Sequence, residues 1–267
     1  MRILLIGPSN RFHGGISSYL EITAKSLARQ GHEVGVIFFD RLIPSVLYPG
    51  RKRLNNNPDL EFEFENISTL HVMNYYNLGI SKKSKKRIVD FKADFSIIHW
   101  WTFAIFPMTS MVSRFLNSIR CPVIFEMHEV IDQNDARIPL VSGASRLMGG
   151  RILRRSAKII AHSESDLDLI GSHYNIPRES LEKIPLANYS KFGSRISKEL
   201  AREKLAINQE SVILFFGLIR EYKGVLTLID AFERMEVDST LLLIVGEIWD
   251  QKREILQAIE KSPKKEN

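Results

Sequence analysis

Cysteine is almost absent: Cys121 is the single one in 267 residues, which excludes a disulfide framework within the chain and fits a reducing compartment. No run of about 18 apolar residues occurs, so no segment has the composition of a membrane-spanning helix. Met1 to Gly7 reads as a first strand, too short for a signal peptide, and a cytoplasmic location is expected. The glycine pattern GxGxxG is missing after that strand, which leaves a dinucleotide site as a minor alternative resting on Asp40, where an acid would take ribose hydroxyls. His13, His99 and His128 stand at no metal-ligand spacing with cysteine or acidic partners, so no structural zinc is expected.

What is present points to a globular chain. Hydrophobic residues make up 44%, and the length suits two domains, the second one small. A net charge of +6 and a pI near 9.3 favour an anionic partner such as a nucleotide, a lipid head group or nucleic acid. Basic and aromatic residues form no nucleic-acid module, so no nucleic acid partner is expected.

The organising stretch is Ile213 to Gly246. An apolar run reaches Gly217, a basic turn with Arg220 and Lys223 follows, and a helix pattern runs from Gly224 through Leu226, Ile229 and Phe232. A second apolar run, Leu241 to Val245, ends at Gly246 and Glu247. This is a βαβ unit, and anionic ligands of such sheets sit outside the carboxyl ends of the strands. The free N–H groups of a helix start favour a phosphate, and two cations beside them strengthen the preference. A solvated basic turn is the plainer alternative.

The amino-terminal part opens in the same way. Arg2 to Gly7 is a buried strand, Pro8 to Gly15 a turn-rich loop, and a helix runs from Ser17 to Gln30 with Gly31 as its C-cap. Glu33 to Phe39 follows as a second strand. Gly14 and Gly15 lie where a ligand approaches the backbone, or where a plain tight turn is made. Leu60 to Phe64 alternates as a half-exposed strand does, and Lys82 to Arg87 is a charge run, read as a solvated face. Further strands are expected at Phe95 to Trp100, Val123 to Met127 and Lys158 to Ala161, with helices at Phe103 to Asn117 and Val141 to Ser156 and one capped by Ser163. The first of those strands and its neighbour carry His99 and His128, and His128 stands where strand ends present ligand-binding groups. The helix at Val141 to Ser156 mixes arginines with Leu147, Met148 and Ile152, a pattern compatible with a membrane surface and with an ordinary outer helix, of which the outer helix is the expectation.

Taken together, these motifs resemble the retaining GT-B glycosyltransferases of family 4. The match runs in order through HGGISSYLEITAKSLARQGHEVGVI (His13 to Ile37), Ile97 to Trp101, Phe125 to Glu129, AHSESD (Ala161 to Asp166), KIPLANYSKF (Lys183 to Phe192), FFGLIREYKGVLTLIDAF and LLIVGEIWD. The resemblance implies an α/β chain of GT-B type, with a Rossmann-like acceptor-side domain over 1–187, a linker over 188–210 and a partial nucleotide-sugar-binding domain over 211–267. It implies a UDP- or GDP-linked sugar as donor substrate, a saccharide or lipid-linked acceptor, and no cofactor or metal. Gly14 and Gly15 would meet the donor diphosphate and sugar, His128 would face the transferred sugar, and Lys223 would bind the diphosphate. Where the family often has an arginine directly after the glycine of this turn, Leu218 stands here, and Arg220 is the nearest basic substitute. Gly217, Gly246 and Glu247, at the two strand ends, complete the donor candidates.

The family continues with further βα units, including a Glu-rich motif for ribose and sugar, which have no counterpart after Asp250. The chain is therefore expected to be a fragment, a split enzyme or a truncated product, in need of a partner chain for a complete donor pocket. The alternative function is a non-catalytic acceptor-binding scaffold, and peripheral contact with the inner face of a membrane is compatible with the basic segments.

Overall fold

The first strand, β1 (Arg2–Pro8), is buried along almost its whole length, and its alternation feeds two cores. Ile3 and Leu5 point to one face of the sheet and Leu4 and Ile6 to the other, the period-2 rule of a strand covered on both sides. A computed structural model describes residues 1–9, 15–41, 65–74, 79–131, 139–186, 196–236 and 239–265, without the side chains of 41 and 139–141. The chain divides into two units, Met1–Lys191 and Phe192–Asn267.

In the first unit α1 (Gly15–Arg29) leads to β2 (Glu33–Arg41). Leu20, Ala24 and Ala28 pack on the Ile3 face. Gly31, with φ of 83°, ends α1, and the amide of His32 donates back to the carbonyl of Leu27 at 3.1 Å, the left-handed cap expected from the sequence. Five further strands follow: β3 (Ile67–Asn74), β4 (Phe95–Trp100), β5 (Val123–Met127), β6 (Lys158–Ala161) and β7 (Leu181–Lys183). All pair in parallel in the order β3-β2-β1-β4-β5-β6-β7. The order reverses between β1 and β4, and ligands of doubly wound sheets bind at the carboxyl ends beside such a switch point.

The helices keep the sequence pattern with local differences. The basic run 82–87 forms most of α2 (Lys82–Phe91), whose amide at Ser84 donates to the N-cap hydroxyl of Ser81. Only Ile88 of this helix is buried, so the lysines are its solvated face. A short 3-10 turn (Phe103–Ile105) precedes α3 (Phe106–Ser118). The expected helix at 141–156 is instead α4 (Pro139–Ala144), a π-helical turn (Ser145–Gly149) and α5 (Gly150–Leu153). It stops at Leu153, where the Arg154 guanidinium turns to donate to the carbonyl of Tyr174 at 2.8 Å. The helix α6 (Glu164–Tyr174) starts at Ser163, whose hydroxyl accepts from the amide of Asp166, as expected. The strand expected at 60–64 lies outside the described residues.

The second unit holds α7 (Lys198–Leu205), β8 (Ser211–Phe216), α8 (Val225–Arg234), β9 (Thr240–Val245) and α9 (Lys252–Lys261). The strands pair in parallel, and Val225, Ile229 and Ile255 from the two helices contribute to covering one face of the pair. Part of the segment expected as linker, α7, is thus helical and groups with the second unit.

Candidate active site

The carboxyl ends of β4, β5 and β6 carry polar side chains where the strand pattern calls for apolar ones. His99 in β4 is fully buried, and Glu126 in β5 is 4% exposed. His128 and His162 stand just beyond β5 and β6. Parallel pairing sets His99 opposite Glu126 and Glu126 opposite Ile160, so groups far apart in the chain become neighbours. His99 Nδ1 lies 2.9 Å from His128 Nε2 and 3.4 Å from Glu126 Oε2. From α1, the Tyr19 hydroxyl donates to Glu126 Oε1 at 2.6 Å, and its ring meets those of His99, His128 and His162 edge-on. His162 Nδ1 donates to the carbonyl of Ile184 at 2.8 Å, and its Nε2 lies 3.9 Å from Glu126 Oε1. The backbone amide of His128 donates to the carbonyl of Trp100 at 2.8 Å, which ties the start of its loop to β4.

Burial governs the charges. It lowers His99 well below the usual imidazole range, with His128 and His162 adding to the effect. His128 is lowered to about 3, by burial first and then by His162. Both rings are therefore neutral near pH 7, and the contact of His99 with the carboxyl is not an ion pair. Burial raises Glu126, opposed by the Tyr19 hydrogen bond and by His162. A neutral imidazole with one nitrogen bonded inward and an edge left partly accessible can accept or donate a proton at a bound hydroxyl. His99, Glu126 and His128 offer one ligand atom each within 4.8 Å of one another, but the two imidazole nitrogens, 2.9 Å apart with ring centroids 5.2 Å apart, point at each other as in an N–H···N hydrogen bond.

In the second unit the strand ends approach closely. A Cβ on Gly246 would stand 1.7 Å from the carbonyl oxygen of Gly217, so backbone contact requires glycine at 246. Gly217 itself has φ of 124°, and a Cβ there would be 3.6 Å from Lys223 Nζ, which puts that ammonium over the end of β8. The Arg220 guanidinium lies over the Trp249 ring at 4.3 Å, and Trp249 Nε1 donates to Glu247 at 3.3 Å. Gly224, with φ of 67°, begins α8 without a side-chain cap. Its first-turn amides, beside Lys223, have the character of an anion site.

Residues 13–187 match the Glycosyltransferase Family 4 description. The chain belongs to this family. The folds of solved structures agree. Anabaena HepE, in complex with UDP and glucose, superposes with a TM-score of 0.60 at 13% identity, over 99% of this chain and 66% of HepE. A UDP-forming α,α-trehalose-phosphate synthase from Burkholderia vietnamiensis gives 0.57 at 9% identity, over 99% of this chain and 70% of its own. The GT-B type expected from the sequence is thus the fold of this chain, and the chain spans just under two thirds of HepE. No curated protein sequence matches at a significant level.

Among the site residues read from the family-4 motifs, His128 lies in the buried cluster of the first unit. Lys223, Arg220, Gly217, Gly246 and Glu247 gather at the strand ends of the second. Gly15 begins α1, and Gly14 lies outside the described residues. Asp40 is buried and accepts from the Ser9 hydroxyl at 3.2 Å. Sequence reasoning missed Tyr19, His99, Glu126 and His162 as one group. A signal existed in His99 and Glu126, each a polar residue inside an apolar strand run, where burial calls for a partner.

Proposed function

We propose that this chain is the acceptor-side domain and the first part of the donor domain of a retaining glycosyltransferase. It moves a sugar from a UDP- or GDP-linked donor to a saccharide or lipid-linked acceptor. In this reading 1–187 is the acceptor-side domain, 188–210 the linker and 211–267 the donor part. The observation that carries it is the Tyr19–Glu126–His99–His128 network at the strand ends of a family-4 domain. A histidine kept neutral and held by inward hydrogen bonds is suited to a sugar hydroxyl. Charge builds on the departing nucleoside diphosphate as the glycosidic bond breaks, and a cation with helix amides stabilises it where it develops. Lys223 and the start of α8 supply both. Arg220, stacked on Trp249, supports the same turn. HepE was crystallised with UDP and glucose, which supports a nucleotide-sugar donor.

The test is sugar transfer from labelled UDP- and GDP-sugars to saccharide and lipid-linked acceptors, by the purified chain alone and with a co-expressed chain supplying the rest of the donor domain; the Lys223 variant is read in the complete enzyme. Lys223→Ala is expected to lower turnover by about a hundredfold or more; unchanged turnover would remove the phosphate assignment. A second reading, a non-catalytic fragment that pairs with another chain, is favoured by the exposure of Leu214, Phe216 and Val245 on the β8–β9 pair. No transfer, together with no thermal stabilisation by UDP or GDP at concentrations where binding adds about 2.7 kcal/mol, both with the added donor half present, would select it. Peripheral membrane contact through the basic α4–α5 segment belongs to the first reading and is tested below.

A further inference from the structure

Between α3 and α5 lies a groove of about 370 Å³ lined by Ser113, Arg114, Asn117, Ile152 and Arg155. Asn117 stands shortly before β5 and Arg155 shortly before β6, so the groove lies toward the amino ends of these strands, at the end of the sheet opposite to His128. The segments that build it are strongly basic. Residues 82–120 carry eight lysines and arginines against two aspartates, and residues 144–158 carry five against no acid. Lys85 stands over the Phe115 ring at 5.7 Å, which joins the lysine-rich α2 to the same helix. Among the described residues neither Arg114 nor Arg155 has a hydrogen-bond or ion-pair partner for its guanidinium, whereas Arg154 donates to Tyr174 and Arg178 pairs with Glu164. Ser113 is 3% exposed, and its hydroxyl is likewise without a partner among the described residues. Thr109 and Ser118 of the same helix donate theirs to carbonyls of the preceding turn. A hydroxyl withdrawn from water without a bond, beside two uncompensated cations, is an unfavourable arrangement that an oxyanion in the groove relieves.

We propose that this groove binds the phosphate group of a phosphorylated ligand, either a soluble phosphate ester or the headgroup of an anionic lipid. A guanidinium presents a planar fork of N–H donors that matches phosphate oxygens two at a time. Two such forks, with the Ser113 hydroxyl and the Asn117 amide, supply donors for all the terminal oxygens of a phosphate ester. The carbonyl end of α3 points toward this end of the sheet and disfavours an anion, so the arginines and not the backbone hold the ligand. Ile152 gives the groove an apolar wall, and the exposed Met148 stands one turn before it in the chain, where the part of the ligand beyond the phosphate lies. The inference does not rest on sugar transfer, because none of these residues belongs to the transfer site.

The experiment is titration of the isotope-labelled whole chain with inorganic phosphate, and separately with monomeric dihexanoyl phosphatidic acid, at constant ionic strength, followed by NMR at the arginine Nε–Hε signals. Reading the arginines themselves separates the groove from the anion site at Lys223. Arg114→Lys and Arg155→Lys identify the two signals and keep both the positive charge and the exposed position. Saturable shifts of both signals are expected. Each lysine variant should weaken the titration of the remaining arginine at least about tenfold, since the charge stays and the fork is lost, while Lys83→Ala titrates as the wild type does. Equal saturation by both probes assigns recognition to the phosphate alone, saturation by the lipid only assigns the headgroup with its glycerol, and saturation by inorganic phosphate only assigns a soluble ester. Shifts with neither probe, shifts that rise linearly without saturating, shifts shared in course with Arg29 on α1, or titrations unchanged in both lysine variants would each overturn the proposal.

Discussion

At the scale of single residues, the histidine cluster makes stability depend on pH in a direction fixed by burial. His128 has a folded pKa of about 3 against an ordinary 6.5. Between these values the unfolded chain binds the proton that the folded chain refuses, so this contribution is complete above pH 6.5 and is lost as pH falls toward 3. From pH 7 to 5, linkage at one such histidine lowers stability by about 2 kcal/mol. His99 acts in the same direction. Glu126 opposes them: its raised pKa gives stability that is present below the ordinary carboxylate range and lost as pH rises through the folded value. Comparing the wild type with His128→Asn isolates the histidine. In urea melts at pH 7 and 5 the wild type should lose about 2 kcal/mol more than the variant. Equal losses would mean that His128 does not stay neutral in the folded chain.

At the scale of elements, the β8 and β9 ends meet through Gly217 and Gly246, and this contact tells structure from binding. The neighbour of a Cβ on Gly246 is a backbone carbonyl at 1.7 Å, which cannot turn aside as a side chain can. Gly246→Ala should therefore destabilise the second unit by about 2 kcal/mol or more, read as a shift of its denaturation midpoint; an unshifted midpoint would show that the strand ends have slack. Much of this architecture was legible beforehand. Strands such as β1, β4 and β5 are apolar runs bounded by turn formers, and Ser163 and Gly31 announce their caps. Elements such as β3 and α7 were not. β3 carries Ser68, Thr69 and His71 on a sheet edge with only Leu70 and Met73 buried, so it lacks the run that marked its neighbours. The helix α7 has no buried residue, and without an apolar stripe it reads as a polar connector. The active cluster was hidden for another reason: Tyr19, His99, Glu126 and His162 meet only through sheet register and one helix, which no local spacing records.

At the scale of the whole molecule, two apolar exposures differ in their charge, and that difference decides what each can meet. On the β8–β9 pair, Phe216 is 79% exposed and Leu214 58%, and a parallel sheet ordinarily has both faces covered. On the α4–α5 segment, Leu147 is 72% and Met148 44% exposed, set among the exposed Arg146, Arg151 and Arg155 in a chain of net charge +6. Among the described residues no helix is long and apolar enough to cross a membrane, so contact with a bilayer through this segment would be peripheral. Near an anionic leaflet each arginine contributes about 1 kcal/mol, and inserting a leucine side chain adds about 1.5–3 kcal/mol. Neither term suffices alone for stable attachment; together they give reversible binding that depends on both lipid charge and the apolar tip. The chain should co-sediment with vesicles containing anionic lipid, bind less as salt rises, and bind at least about tenfold more weakly as Leu147→Glu, since losing the inserted side chain alone removes more than 1.4 kcal/mol. Arg154, held by the Tyr174 carbonyl, belongs to the packing of the helix and is a poor choice of probe. Co-sedimentation that ignores the anionic lipid content would sink the electrostatic part, and binding unchanged in Leu147→Glu would move the contact to another surface.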